Sequence, residues 1–102
     1  MQMQDYKRAL YDFSTAIKIE SKKVPNDNEK IAKYYMLAGQ ANQMLGQYEE
    51  ALTHYEIAIR KKNSDGIFYY NRGLTYSTLQ RFDDAKKDFN TALEKGNLGN
   101  QE

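Results

Sequence analysis

The chain has 102 residues, with 15 basic against 14 acidic side chains and a formal net charge of +1. That length holds one domain with a modest core and excludes a catalytic domain joined to a substrate domain. The near-zero charge gives no field to draw nucleic acid or an anionic membrane, and the lack of cysteine excludes disulfides, thiolate zinc sites and cysteine nucleophiles together.

The first predicted element is a helix from about Asp5 to Lys22, with Ala9, Phe13, Ala16 and Ile17 on one face. The residues before it, MQMQ, read as the last turn of a preceding helix. Pro25, Asn26 and Asp27 break the chain, and a second helix is expected from near Asn28, the N-cap candidate. A turn at Leu45 and Gly46 separates it from a third helix carrying Tyr48, Ala51, Tyr55 and Ala58. The fourth carries Phe68, Tyr69 and Gly73, and the fifth Phe82, Ala85, Phe89 and Ala92, before a flexible tail over residues 97–102. With one proline and six glycines, the composition suits helices joined by short turns. No stretch approaches the roughly 18 apolar residues that span a bilayer, and no basic-then-apolar signal run opens the chain. A soluble, cytoplasmic protein without membrane partners is expected.

Superposing the chain on itself reveals a repeat. LGQYEEALTHYEIA, from Leu45 to Ala58, lies over LQRFDDAKKDFNTA, from Leu79 to Ala92, at a shift of 34 residues. The same shift pairs Tyr34 with Phe68, Tyr35 with Tyr69 and Gly39 with Gly73, so two helices repeat together. A shift of 42 residues pairs Tyr48, Ala51, Tyr55 and Ala58 with Tyr6, Ala9, Phe13 and Ala16, a third and wider-spaced copy. Packing explains these residue types: glycine and alanine let two helices approach, and Tyr55 and Phe89 fill the space beside them.

The pattern resembles the tetratricopeptide repeat, in which a helix with W-x2-L-G-x2-Y precedes one with A-x3-F and a later alanine. Tyr69, Gly73, Tyr76, Leu79, Phe82, Ala85, Phe89 and Ala92 fall on the family's positions, and Arg72 departs where leucine is usual. In the middle copy Tyr35, Ala38, Gly39, Leu45, Gly46, Tyr48, Ala51, Tyr55 and Ala58 match, and Asn42 departs where tyrosine is usual. The resemblance implies an all-α domain over residues 1–98, made of antiparallel helical hairpins in a right-handed superhelical array. Residues 1–22 would be the second helix of a truncated first repeat, 28–64 the second repeat and 65–96 the third, together the C-terminal piece of a longer array. Lys86 and Lys87 replace the apolar outer positions held by Leu10 and Leu52, which suits a terminal repeat, with Leu98 available to fold back over Phe89 and Leu93.

By the same resemblance the function is a protein interaction scaffold that takes a peptide or helix in a concave groove of first helices. The groove positions are Lys33, Met36, Leu37, Gln40, Gln43 and Met44 in the middle repeat. In the last they are Ile67, Tyr70, Asn71, Leu74, Ser77 and Thr78. One subclass of the family clamps the carboxylate tail of heat-shock chaperones with lysine, asparagine and arginine. Asn71 stands at its asparagine, but Met36 and Gln40 stand where the preceding repeat would supply lysine and asparagine. That departure argues against the carboxylate mode.

Other classes fare less well. The single histidine, His54, has neither a catalytic partner nor enough companions for a metal site, so no enzyme activity, cofactor, metal or small-molecule substrate is expected. Glu49–Glu50 and Asp83–Asp84 recur near helix starts, where they favour the helix dipole. Basic clusters at Lys22–Lys23, Arg60–Lys62 and Lys86–Lys87 lie on or after second helices, and nucleic acid is disfavoured as a partner. The alternative of homo-oligomerisation would use the apolar face Ala9, Phe13, Ala16 and Ile17.

Overall fold

The computed structural model describes residues 3–23, 25 and 27–96. Five helices follow in order: α1 Met3–Lys22, α2 Asn28–Met44, α3 Tyr48–Lys61, α4 Gly66–Thr78 and α5 Phe82–Lys95. Each packs against the next, α2 also touches α4, and no strand occurs among the described residues. The fold is all-α, as expected.

Two local expectations are corrected. The N-cap of α2 is Asp27, one residue before the predicted Asn28. Its extended backbone lets the carboxylate accept from the Lys30 amide at 3.1 Å, while Asn28 is already helical. Met3 and Gln4, read as part of a preceding helix, instead belong to α1, which is continuous from Met3, while Met1 and Gln2 lie outside the described residues. The later copies turn on a left-handed residue, Gly46 at φ +76° and Gln80 at φ +63°. Gln4 holds the matching place in the first copy and is helical.

The two tight turns repeat each other bond for bond. Gln47 N donates to Asn42 O at 2.8 Å, and 34 residues later Arg81 N donates to Tyr76 O at the same distance. Each bond closes the six-residue ring of a Schellman motif and satisfies carbonyls at the helix end. The turns therefore fix the angle at which α3 returns along α2 and α5 along α4.

Close approach within each hairpin is set by glycine against an aromatic ring. A Cβ on Gly39 would lie 2.6 Å from a Tyr55 ring carbon, and one on Gly73 would lie 2.7 Å from Phe89. Tyr55 is wholly buried, as are Ala51 and Ala58, and Ala85 and Ala92 are nearly so. Between the hairpins, Ala32, Ala58 and Phe68 form a core against which Tyr35, Met36, Ile59 and Ile67 pack.

Among the described residues, ion pairs join the elements at three points. Glu20, buried on α1, meets Lys23 at 3.2 Å and Lys30 of α2 at 4.0 Å. Lys62, after α3, meets Glu29 at 3.0 Å, a hydrogen bond that raises its pKa. In the last hairpin Arg72 makes two bonds to the buried Asp88, at 2.7 and 2.8 Å, and this partner raises the pKa of the guanidinium further. Arg72 also lies between the Tyr69 and Tyr76 rings, at 5.7 and 5.8 Å from their centroids. The departure from leucine thus ties α4 to α5. Lys86 and Lys87 are exposed, Leu93 is 72% exposed, and the fold-back expected of Leu98 lies outside the described residues.

Candidate functional site

A trough of about 460 Å³ opens beside α1, α2 and α4. Tyr6, Ala9 and Phe13 line it from α1, Leu37, Gln40, Ala41, Gln43 and Met44 from α2, and Asn71 from α4. The spacings 6, 9, 13 and 37, 40, 41, 44 each follow one helical face over two turns, about 10 Å of length. Both walls therefore arise from the helical periodicity that also buries the core. The lining contains no charged side chain.

Hydrogen bonds fix part of this wall. The Tyr55 hydroxyl donates to Gln43 Oε1, linking the trough to the buried ring that packs on Gly39. Burial pushes the Tyr55 phenol well above its ordinary pKa, with the Thr75 hydroxyl acting in the opposite direction. Asn71 donates its Nδ2 to the Ile67 carbonyl at 3.0 Å and is nearly buried. Below the trough Asn42 donates to Gln47 Oε1 at 2.8 Å, and its Oδ1 meets His54 Nδ1 at 2.6 Å. His54 also packs against Tyr35 at 5.8 Å between ring centroids. Burial lowers its pKa, against an opposing effect of Glu50. This histidine is a hydrogen-bonded part of the α2–α3 interface.

Of the twelve predicted groove residues, the structure brings Leu37, Gln40, Gln43, Met44 and Asn71 into one trough. Lys33 and Leu37 line a neighbouring depression with Asp27, Glu29, Lys30 and Tyr34. Met36 and Ile67 turn inward onto the core. Tyr70 and Leu74 are exposed on α4, where the Tyr70 ring rests 5.8 Å from that of Phe89. Ser77 is half-buried, and Thr78, exposed, donates its hydroxyl to the Leu74 carbonyl at 3.1 Å. Among the four residues of the predicted self-association face, Ala9 and Phe13 line the trough, and Ala16 and Ile17 are half-buried. The exposed apolar side chains of α1 are instead Met3, Tyr11 and Ile19.

Tyr6 and Ala41 were not among the predicted site residues. Tyr6 could have been found, because it stands three and seven residues before Ala9 and Phe13 on the same face. No group of three or more His, Cys, Asp or Glu side chains among the described residues is placed to hold a metal ion. No described helix is long and apolar enough to cross a membrane.

Comparison with known proteins agrees with this architecture. Residues 39–80 match a family model described as TPR repeat, and residues 67–95 one described as tetratricopeptide repeat. Over 65 residues, 64% of the chain, it is 35% identical to the small glutamine-rich tetratricopeptide repeat-containing protein of Dictyostelium discoideum, covering 20% of that protein. Over 62 residues, 61% of the chain, it is 32% identical to the protein O-mannosyl-transferase Tmtc3 of Drosophila melanogaster, covering 7% of it. The chain thus spans a fifth or less of the curated relatives it matches. Among solved structures, the second TPR of Spaghetti (RPAP3), bound to the HSP90 peptide SRMEEVD, superposes with a TM-score of 0.63 at 21% identity. That match covers 92% of this chain and 97% of the other.

Proposed function

The chain belongs to the tetratricopeptide repeat family, and on that premise we propose that it is a protein interaction module whose binding surface is the trough between α1, α2 and α4. The observation that carries the reading is the trough itself: an open, largely apolar surface, two helical turns long and lined from three helices. The family neighbour bound to an HSP90 peptide supports a peptide as the kind of partner. Met44, 61% exposed at the rim, can adapt to a ligand side chain, and the exposed Tyr70 and Leu74 extend the surface along α4. The proposal includes no chemical step, and the transferase name of one relative is not carried over from a match to 7% of its length.

A quantitative pull-down tests it. The unmutated chain is compared with Met44→Glu and with the pair Tyr70→Ala and Leu74→Arg, each checked for helicity by circular dichroism. Loss of the same partners in both variants supports the reading. Partners retained equally in both would move the binding surface elsewhere.

Self-association is a second reading, favoured by Tyr11 at 73% and Ile19 at 58% exposure on α1. It uses a different row of α1 from Ala9 and Phe13. A monomer by light scattering at every accessible concentration would end it.

A further inference from the structure

The trough has a chemistry more specific than apolarity, and the inference drawn from it rests on the reading of the trough as a peptide site. Gln40, Gln43 and Asn71 bring three side-chain amides to its lining. Asn71 has committed its Nδ2 to Ile67, which leaves Oδ1 as an acceptor. Gln43 has committed its Oε1 to Tyr55, which leaves Nε2 as a donor. No fully buried side-chain nitrogen or oxygen among the described residues lacks a partner, so neither of these remaining atoms is completely buried.

Such a donor and acceptor complement the N–H and C=O of a peptide unit. A helix satisfies those groups internally, whereas an extended segment presents them unmet. The two-turn length of the trough, about 10 Å, matches about three residues of extended chain at 3.3 Å each. Charge narrows the partner further. The lining holds no cation, and in the adjacent depression Lys30 is already paired with Glu20 and Glu29 with Lys62. The SRMEEVD peptide of the structural neighbour carries three acidic residues, and this trough offers no cation to match them.

We propose that the trough selects an extended, uncharged peptide segment, with one apolar side chain seated against Ala9, Phe13 and Leu37 and one backbone amide held by Asn71 and Gln43. Acidic tails are discriminated against because binding would strip water from their carboxylates with no cation to replace it.

A displayed library of random heptapeptides with blocked C-termini tests this, selected against the full chain, Ala9→Trp and Met44→Lys. Trp at position 9 plugs the trough, while Lys at the exposed position 44 adds charge without disturbing the core. The unmutated chain is expected to enrich uncharged peptides with an apolar residue. Affinity should fall about tenfold or more in Ala9→Trp, and the Met44→Lys pool should shift toward acidic sequences. N-methylation of one backbone amide of a selected peptide should cost about tenfold, and less in Asn71→Leu. Acidic peptides enriched by the unmutated chain would overturn this inference and leave a peptide site standing. Equal affinity for every N-methylated form would overturn the extended mode. No enrichment over Ala9→Trp would overturn both the inference and the reading beneath it.

Discussion

Gln80 holds φ +63° at the position where the preceding copy has Gly46. A side chain in this left-handed region crowds the backbone, and glycine does not. Gln80→Gly is therefore expected to stabilise the fold by about 0.5–1 kcal/mol, read as a higher midpoint in urea, and Gly46→Ala to destabilise it similarly. His54 gives a second prediction at this scale. Burial lowers its folded pKa below the ordinary 6.5, so the unfolded chain takes up a proton that the folded chain resists. Its contribution is complete above pH 6.5 and is lost as pH falls through 6.5 toward the lowered folded value. Melting temperatures at pH 7.5 and 5 should differ more for the unmutated chain than for His54→Gln. The aromatic, glycine and alanine positions were legible in the sequence because their spacing alone defines them. The partners of His54 were not, since Asn42 lies twelve residues away and departs from the family pattern.

Within the helical hairpins, packing and charge act at different contacts. Gly73→Ala drives a methyl into Phe89 and should cost about 1–3 kcal/mol, because the ring is held between α4 and α5. Arg72→Leu restores the residue usual in the family, yet it should destabilise by roughly 3 kcal/mol by stranding the carboxylate of Asp88, itself 4% exposed. The double variant Arg72→Leu with Asp88→Leu should recover most of that loss, and denaturant unfolding of all three chains measures it. If the single variant were as stable as the unmutated chain, the ion pair would not be the tie between these helices. Helix order and the α2 start followed from periodicity and the proline break. The Arg72–Asp88 pair spans two helices at a separation of sixteen residues, so no local pattern announces it.

Across the whole molecule, the lining of the trough was legible in part. Assigning it to α2 and α4 alone found Leu37, Gln40, Gln43, Met44 and Asn71, but missed that α1 closes the other wall. The wider 42-residue interval concealed this, because the first copy does not fall at the 34-residue shift that relates the other two. The same assignment sent Met36 and Ile67 outward, whereas the junction between α2, α3 and α4 draws them inward. The central claim is that one surface, shared by three helices, does the binding. Mapping backbone amide shifts by NMR as a library-selected peptide is titrated into the chain tests it most directly. The account predicts shifts at Tyr6 to Phe13, Leu37 to Met44 and Asn71 together. Shifts gathered instead around Ile19, or along α5 from Lys86 to Leu93, with the trough unmoved, would contradict it.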